Sequence, residues 1–323
     1  MTTQATAGFF DVEITTITRE SDGVVALRLH GVGDAPLPEW EPGAHIDVLL
    51  PNGLVRQYSL CGGPDRGEEW RIAVLREPAG RGGSACVHDE LRPGTRLQVR
   101  QPRNNFALAP ALEYVFVAGG IGITPILPMI RKVAASGLPW RLVYLGRSQA
   151  SMAFVDELRS YGSNVHIHAD DESGIFPLGD LLSGPDAKFH LYTCGPEGLL
   201  KAVQKFTATW DDPSRFHFER FVVDASLAAL VDTSGDHEFI VELEDGAEIL
   251  VPADVSILKA LEDSGYQALN SCREGICGTC ETPVLSGEID HRDQLLSEEE
   301  RAAGDTMMIC VSRCRGKRLV LGI

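Results

Sequence analysis

Nothing in the 323 residues approaches the ~20 consecutive apolar positions of a bilayer-spanning helix, so no membrane partner is expected. Positive charge is scarce: 29 Lys and Arg stand against 46 Asp and Glu, a net charge of −17. A nucleic-acid-binding face needs a basic stripe, which argues against nucleic acid as a partner. The segment Met1–Ala7 has neither a basic stretch nor an apolar one. No export signal is therefore expected, and the protein reads as cytoplasmic. No internal repeat and no Gly-X-Y period occur, which sets aside solenoids and collagen. What remains is an ordinary globular balance, 44% hydrophobic and 23% charged. At roughly 150 residues per domain this length predicts two or three domains.

Cysteine placement breaks that plainness. Cys61, Cys86 and Cys194 are scattered, whereas Cys272, Cys277, Cys280, Cys310 and Cys314 crowd the C-terminal end. In a reducing compartment such crowding points to metal rather than to disulfides. Cys272-Arg-Glu-Gly-Ile-Cys277-Gly-Thr-Cys280 has the C-x4-C-x2-C spacing of a plant-type [2Fe–2S] loop, which needs a distant fourth cysteine. Three thiolates converging from one tight loop require sharp turns, for which Gly275 and Gly278 are suited. Cys310 is the expected fourth ligand, because Met307-Met-Ile-Cys310 reads as an apolar strand; Cys314 is its competitor. A zinc site through Cys277 and Cys280, or a redox dithiol, is the alternative, and the x4 gap disfavours zinc.

The grammar changes twice along the chain. Residues 1–109 read as short alternating strands separated by Pro- and Gly-rich turns, predicting an antiparallel β-barrel. Residues 110–224 alternate buried strand runs with helical spacing, beginning with Tyr114-Val-Phe-Val-Ala-Gly-Gly, and predict an α/β domain with a mainly parallel sheet. A helix is expected over Met152–Ser160. A polar linker over 225–235 precedes a small α+β module over 236–323, of the ferredoxin-like β-grasp kind if a cluster staples it. That module holds 18 acidic and 8 basic residues, a charge of −10. Such an excess suits either solubility or steering toward a basic partner.

Two sets of residues have cofactor chemistry. Arg56-Gln57-Tyr58-Ser59 ends a barrel strand, and Gly80-Arg-Gly82-Gly83-Ser84 follows in the same barrel. A flavin phosphate needs a cation and open backbone donors, which Arg56 and Gly82-Gly83-Ser84 supply. Tyr58 would bed the ring and Ser59 would donate near its reactive N5. In the α/β part, Gly119-Gly120-Ile-Gly122-Ile-Thr124-Pro125 joins a strand to a helix, where a pyrophosphate binds. Pro125 replaces the third glycine of a dinucleotide fingerprint, so an ordinary Rossmann domain is the weaker expectation. Cys194-Gly195-Pro196 makes a second strand-to-helix turn. Arg147 and Ser148 close one strand and Asp170-Asp171-Glu172 closes the next. Carboxylates there favour NADH over NADPH, with Asp171 on the ribose hydroxyls, although Arg147 argues the other way.

The order R-x-Y-S, G-R-G-G-S, G-G-I-G-I-T-P, C-G-P and C-x4-C-x2-C resembles the phthalate dioxygenase reductase type, which includes the vanillate demethylase reductases. The resemblance runs over essentially the whole chain. It implies FMN rather than FAD in the barrel, NADH in the α/β domain and a C-terminal [2Fe–2S] ferredoxin module. It further implies that Thr124 touches the flavin phosphate side, that Ala73 and Val74 flank the ring, that Phe221 covers it, and that Cys194 lies near the nicotinamide. The terminal acceptor it implies is a Rieske-type oxygenase or demethylase. A flavin mediates between a two-electron donor and a one-electron cluster, so the three modules form an electron transformer. Two rivals remain open: the same architecture serving another acceptor, and a redox-sensing iron–sulfur protein without turnover. His166 and His168 read as structural, Ser297-Glu-Glu-Glu300 as a capping box, and Asp290-His-Arg-Asp293 has no assigned role.

Overall fold

The structure, a computed structural model, describes residues 8–63, 69–182 and 188–323. They fall into two compact units, 8–221 and 222–323.

In the first unit, β1 (Phe9–Ser21), β2 (Val24–Gly31), β3 (His45–Leu49), β4 (Val55–Ser59), β5 (Trp70–Leu75) and β6 (Arg96–Arg100) pair in the order β4-β3-β6-β1-β2-β5. Every pairing is antiparallel. The sheet closes just beyond β4, where Leu60 bridges Ile72 and the Cys61 N–H donates to the Arg71 carbonyl at 2.8 Å. Closure pairs the edges that an open sheet would expose. Alternation puts Val12, Ile14, Leu27, Leu29, Ile46, Val48, Trp70 and Ile72 inside. The expected glycine loop ends sooner than its composition suggests: Gly83 already starts the helix α1 (Gly83–Asp89).

A parallel sheet follows, built from β7 (Tyr114–Gly119), β8 (Trp140–Gly146), β9 (Val165–Ala169), β10 (His190–Cys194) and β11 (Phe216–Glu219), in the order β11-β10-β7-β8-β9. All six residues of β7 are buried, as its unbroken apolar run requires. Connecting helices are α2 (Ile123–Ser136), α3 (Val155–Arg159), α4 (Asp170–Ser173), α5 (Leu178–Leu182) and α6 (Glu197–Thr207). Pro125 sits in the first turn of α2, where its missing N–H costs nothing. The helix expected over Met152–Ser160 shrinks to five residues, because Phe154 adopts φ +60°.

The barrel keeps its own core, but a second cluster spans the expected boundary near 110. Val24, Ala26, Cys61 and Ala73 of the barrel are buried with Phe116, Ile126 and Tyr144 in one cluster. The connecting segment is held by two phenols: the Ala109 N–H donates to the Tyr192 hydroxyl at 2.6 Å, and the Tyr114 hydroxyl donates to the Ala109 carbonyl at 3.0 Å.

The second unit begins with a short helix inside the expected linker, α7 (Ala225–Ala228), capped by the Asp224 side chain on the Ser226 N–H. Then come β12 (Phe239–Leu243), β13 (Glu248–Val251), α8 (Ile257–Asp263), β14 (Glu281–Ser286), β15 (Ile289–Asp290), α9 (Glu298–Ala303), β16 (Thr306–Met308), β17 (Arg313–Cys314) and β18 (Arg318–Leu321). The main sheet runs β13-β12-β18-β14-β16, with β12 and β18 parallel. This mixed sheet, with α8 packed in its core, is the β-grasp arrangement. Gly246 at φ +81° makes the Asp245-Gly246 hairpin turn, and Ser297 and Glu300 form the capping box of α9.

Candidate redox site

The flavin-motif residues occupy β4 and the start of α1. Arg56 crosses over Gly83, where a Cβ would lie 2.7 Å from its Nε and 2.8 Å from its Cγ. Arg56 also donates to the Val55 carbonyl at 2.8 Å. A guanidinium laid on bare glycine backbone is a fitting donor set for a phosphate. The Ser84 hydroxyl accepts from the Glu77 N–H at 3.0 Å, fixing the turn. Burial pushes the Tyr58 phenol well up, keeping it neutral, while Gln57 is half-buried beside it. Ser59 is buried opposite His45. Burial lowers the His45 ring to about 4, and its Nε2 has no partner among the described residues. The Ala73 and Val74 side chains are both buried, and Phe221 stands 40% exposed at the end of the unit.

Every nucleotide-motif residue lies at the carboxyl edge of the parallel sheet. The strand order reverses between β7 and β10, and ligands of such sheets bind at that crevice. There the two glycine turns touch. A Cβ on Gly122 would lie 2.3 Å from the Cys194 carbonyl oxygen, and one on Gly195 would lie 2.9 Å from Gly119 Cα. Gly120 at φ +53° has open space where a side chain would stand, which leaves a clear approach to the backbone. Pro196 is the N-cap of α6. Thr124 is buried, its hydroxyl donating to the Ile121 carbonyl at 2.9 Å, so it braces the turn. Further along the edge, the Asp171 N–H donates to the Arg147 carbonyl at 3.0 Å, bringing the two ribose-side candidates together. The Arg147 and Asp171 side chains are both exposed. His168 bonds the Gly174 carbonyl at 2.6 Å and packs edge-on against Phe176, a structural role.

Burial holds the Cys194 thiol far above its ordinary value. Its register partner on β11 is Glu219, a residue that motif reading passed over. Glu219 Oε2 is sealed from water and has no hydrogen-bond partner among the described residues, and desolvation raises this carboxyl to about 8. The signal was present in Phe216-His-Phe-Glu219: a lone carboxylate ending an aromatic strand. Arg71, Arg131 and Glu157 were passed over as well. They join the barrel to α2 and α3 through the Cys61 carbonyl.

In the second unit the thiols come together in two pairs. The Cys272 thiol hydrogen-bonds Cys277, holding Cys277 below its ordinary value, and the Cys310 thiol does the same to Cys280, lowering it. Among the described residues no three His, Cys, Asp or Glu converge on one ion-sized point. Two pairs fit two irons, each taking two thiolates, and not one tetrahedral zinc. Main-chain N–H groups face the sulfurs: Glu274 N lies 3.3 Å from Cys272 Sγ, and Gly275 N–H points to Cys310. Gly275 and Gly278 have φ +71° and +72°, as the tight loop demands. A Cβ on Gly275 would lie 2.6 Å from Val311 Cγ2. Cys310 follows β16, which ends at Met308, so a turn carries it and not the expected strand. Cys314 points elsewhere, its Sγ donating to the Arg318 carbonyl at 3.4 Å.

The family described as "2Fe-2S iron-sulfur cluster binding domain" matches residues 241–315. The solved structure of phthalate dioxygenase reductase, described as modular for electron transfer from pyridine nucleotides to [2Fe–2S], is 37% identical and superimposes with a TM-score of 0.71, covering 98% of each chain. The chain belongs to the phthalate dioxygenase reductase family. It is a flavin iron–sulfur oxidoreductase, and FMN, NADH and a [2Fe–2S] cluster are the cofactors of this family. The carnitine monooxygenase reductase subunit of Escherichia coli is 38% identical over 97% of this chain and 98% of its own. An intact type IV self-sufficient cytochrome P450 monooxygenase is 42% identical with a TM-score of 0.88, but this chain spans only 41% of that structure. Among the described residues no helix is long and apolar enough to cross a membrane.

Proposed function

We propose that this chain is the reductase component of a two-component oxygenase system, with a Rieske-type oxygenase or demethylase as its acceptor, working in the cytoplasm where thiols stay reduced. One observation carries the reading: a single chain joins a glycine-walled nucleotide crevice at Gly122 and Cys194 to two thiol pairs suited to two irons. When bound, the flavin supplies the exchange between the paired electrons of NADH and the single electrons that a [2Fe–2S] centre takes. The chain's own residues set the geometry. Arg56, Gly82, Gly83 and Ser84 hold the phosphate, Tyr58 beds the ring and Ser59 offers it a donor. Gly120, Gly122, Gly195 and Pro196 shape the nicotinamide side next to buried Cys194. Asp171 accepts from ribose hydroxyls and repels a 2′-phosphate, which selects NADH. Cys272, Cys277, Cys280 and Cys310 hold the cluster.

Anaerobic addition of NADH to the loaded protein tests this. Both the flavin and the cluster bands should bleach, with NADPH markedly slower. Bleaching confined to the flavin, or none, would overturn the reading, and the second result would favour a redox sensor. A haem acceptor is the second reading, favoured by the superposition on the self-sufficient P450. Reduction of an added Rieske oxygenase against an added P450 haem domain separates the two.

A further inference from the structure

Tyr144 lies inside the parallel sheet, on β8 between Ala118 of β7 and Ile167 of β9, and its side chain is fully buried. The ring packs in the core, but the hydroxyl does more than pack. It donates to the Gly120 carbonyl at 3.1 Å, and the Ala153 N–H points to the same oxygen. Burial holds the phenol well above its ordinary value, so the proton stays in place to be donated.

The two partners belong to different loops at the carboxyl edge of the sheet. Gly120 lies in the glycine turn between β7 and α2, and Ala153 lies in the segment that follows Arg147. That segment, which makes a short turn over Gln149–Ser151, is pressed onto the end of β8. A Cβ on Gly146 would lie 2.4 Å from Met152 Cγ. One buried oxygen thus joins the turn on the pyrophosphate side to the loop on the ribose side. The bond also sets a peptide plane. The Gly120 carbonyl accepts from the Ile123 N–H as well as from Tyr144. A trans peptide points its N–H opposite to its C=O, so the Ile121 N–H faces away from the buried phenol. Gly120, at φ +53°, leaves open space where a side chain would stand.

We propose that Tyr144 is a positioning residue for NADH: through Gly120 and Ala153 it holds the pyrophosphate turn and the ribose-side loop in one fixed relation, without touching the nucleotide. The assignment rests on the crevice being the NADH site, and the experiment separates the two.

The probe is ADP-ribose, which carries the pyrophosphate and both riboses but no nicotinamide, titrated by calorimetry into the full chain loaded with flavin and cluster. Tyr144→Phe removes only the bridging oxygen and should weaken ADP-ribose about fivefold or more, the worth of one ordinary hydrogen bond. The KM for NADH with ferricyanide as acceptor should rise by a similar factor, with kcat within about twofold and the flavin and cluster spectra unchanged. Tyr192→Phe is the comparison. That phenol is also fully buried but ties the connecting segment at Ala107 and Ala109, so its loss should lower stability and leave ADP-ribose binding unchanged. Unaltered ADP-ribose affinity in Tyr144→Phe would overturn the proposal. Equal weakening in both variants would overturn it too, as the mark of general loosening. In the wild-type chain ADP-ribose should slow amide exchange at Ile121, and unslowed exchange there would count against the proposal without any variant. If the wild type binds no ADP-ribose, the assignment of the crevice itself falls, and the role of Tyr144 with it.

Discussion

Arg131 on α2 donates to the Cys61 carbonyl at 2.8 Å, so a helix of the nucleotide-binding sheet holds the backbone two residues after Ser59 of the flavin motif. The same nitrogen reaches the Gly62 carbonyl at 2.6 Å. Glu157 takes the rest of the guanidinium and also accepts from Arg71, itself bonded to the Cys61 carbonyl. Two cations, one carboxylate and two carbonyls thus form a half-buried clamp between barrel and parallel sheet. Arg131→Ala should destabilise the first unit by about 2–3 kcal/mol, the range for charge-assisted bonds whose partners stay buried. Urea denaturation followed by flavin release measures it, and Arg131→Lys should recover only part, because an ammonium lacks the fork. A loss below about 0.5 kcal/mol, the size of an ordinary surface change, would show that Arg71 alone suffices.

The two glycine turns should be still less forgiving. At Gly122 a methyl group would stand 2.3 Å from a main-chain oxygen on β10, which cannot rotate away. Gly122→Ala should therefore force β7 and β10 apart at the switch point and abolish NADH-driven flavin reduction. Gly120→Ala has open space but keeps the φ of +53° that disfavours a side chain, costing about 1 kcal/mol. Thermal melts and stopped-flow reduction of the two variants together distinguish a steric wall from a backbone preference. Equal behaviour would contradict the geometry.

Cys310 and Cys314 lie four residues apart and part company in the fold. Cys310 pairs with Cys280, while Cys314, ending β17, bonds the Arg318 carbonyl at the start of β18. Cys310→Ser should lose or strongly perturb the cluster's visible and electron paramagnetic resonance spectra. Cys314→Ser should leave both intact, with less than about 1 kcal/mol lost for a small buried thiol in a weak hydrogen bond. The reverse pattern would reassign the fourth ligand.

Much of this was legible in order and spacing. The x4 gap, the two glycine turns and the shift from alternating to continuous apolar runs each express a local requirement, and local requirements leave local patterns. The β16 boundary was misplaced because Met307, Met308 and Ile309 are apolar for the sake of the core they enter, not for a strand. The shared core of barrel and parallel sheet was invisible, since Ala26, Cys61 and Ala73 look like ordinary strand residues until Phe116 and Ile126 meet them. Asp290-His-Arg-Asp293 had no readable purpose for a similar reason. Arg292 ties Asp236 to Asp290, and Asp293 accepts from the Leu295 and Leu296 N–H groups. Gln294 then donates to the Gly275 carbonyl in the cysteine loop. The motif braces that loop from a distance in sequence that no spacing rule spans.

Glu219 gives the sharpest dependence on pH. Its carboxyl ionises near 4.5 when solvated and near 8 in the folded chain, because burial penalises the charge. Between these values the folded state holds a proton that the unfolded state has released, so stability falls as pH rises. The penalty is absent below about pH 4.5 and complete above about pH 8, accruing roughly 1.4 kcal/mol per pH unit in between. Glu219→Gln keeps the shape and removes the ionisation. The variant should match the wild type near pH 5 and exceed it at pH 9 by a margin that grows through the interval. Urea midpoints at pH 5, 7 and 9 measure this. Parallel pH profiles for the two proteins would mean that the carboxyl is solvated in solution, and Cys194 would then lack its buried acidic neighbour.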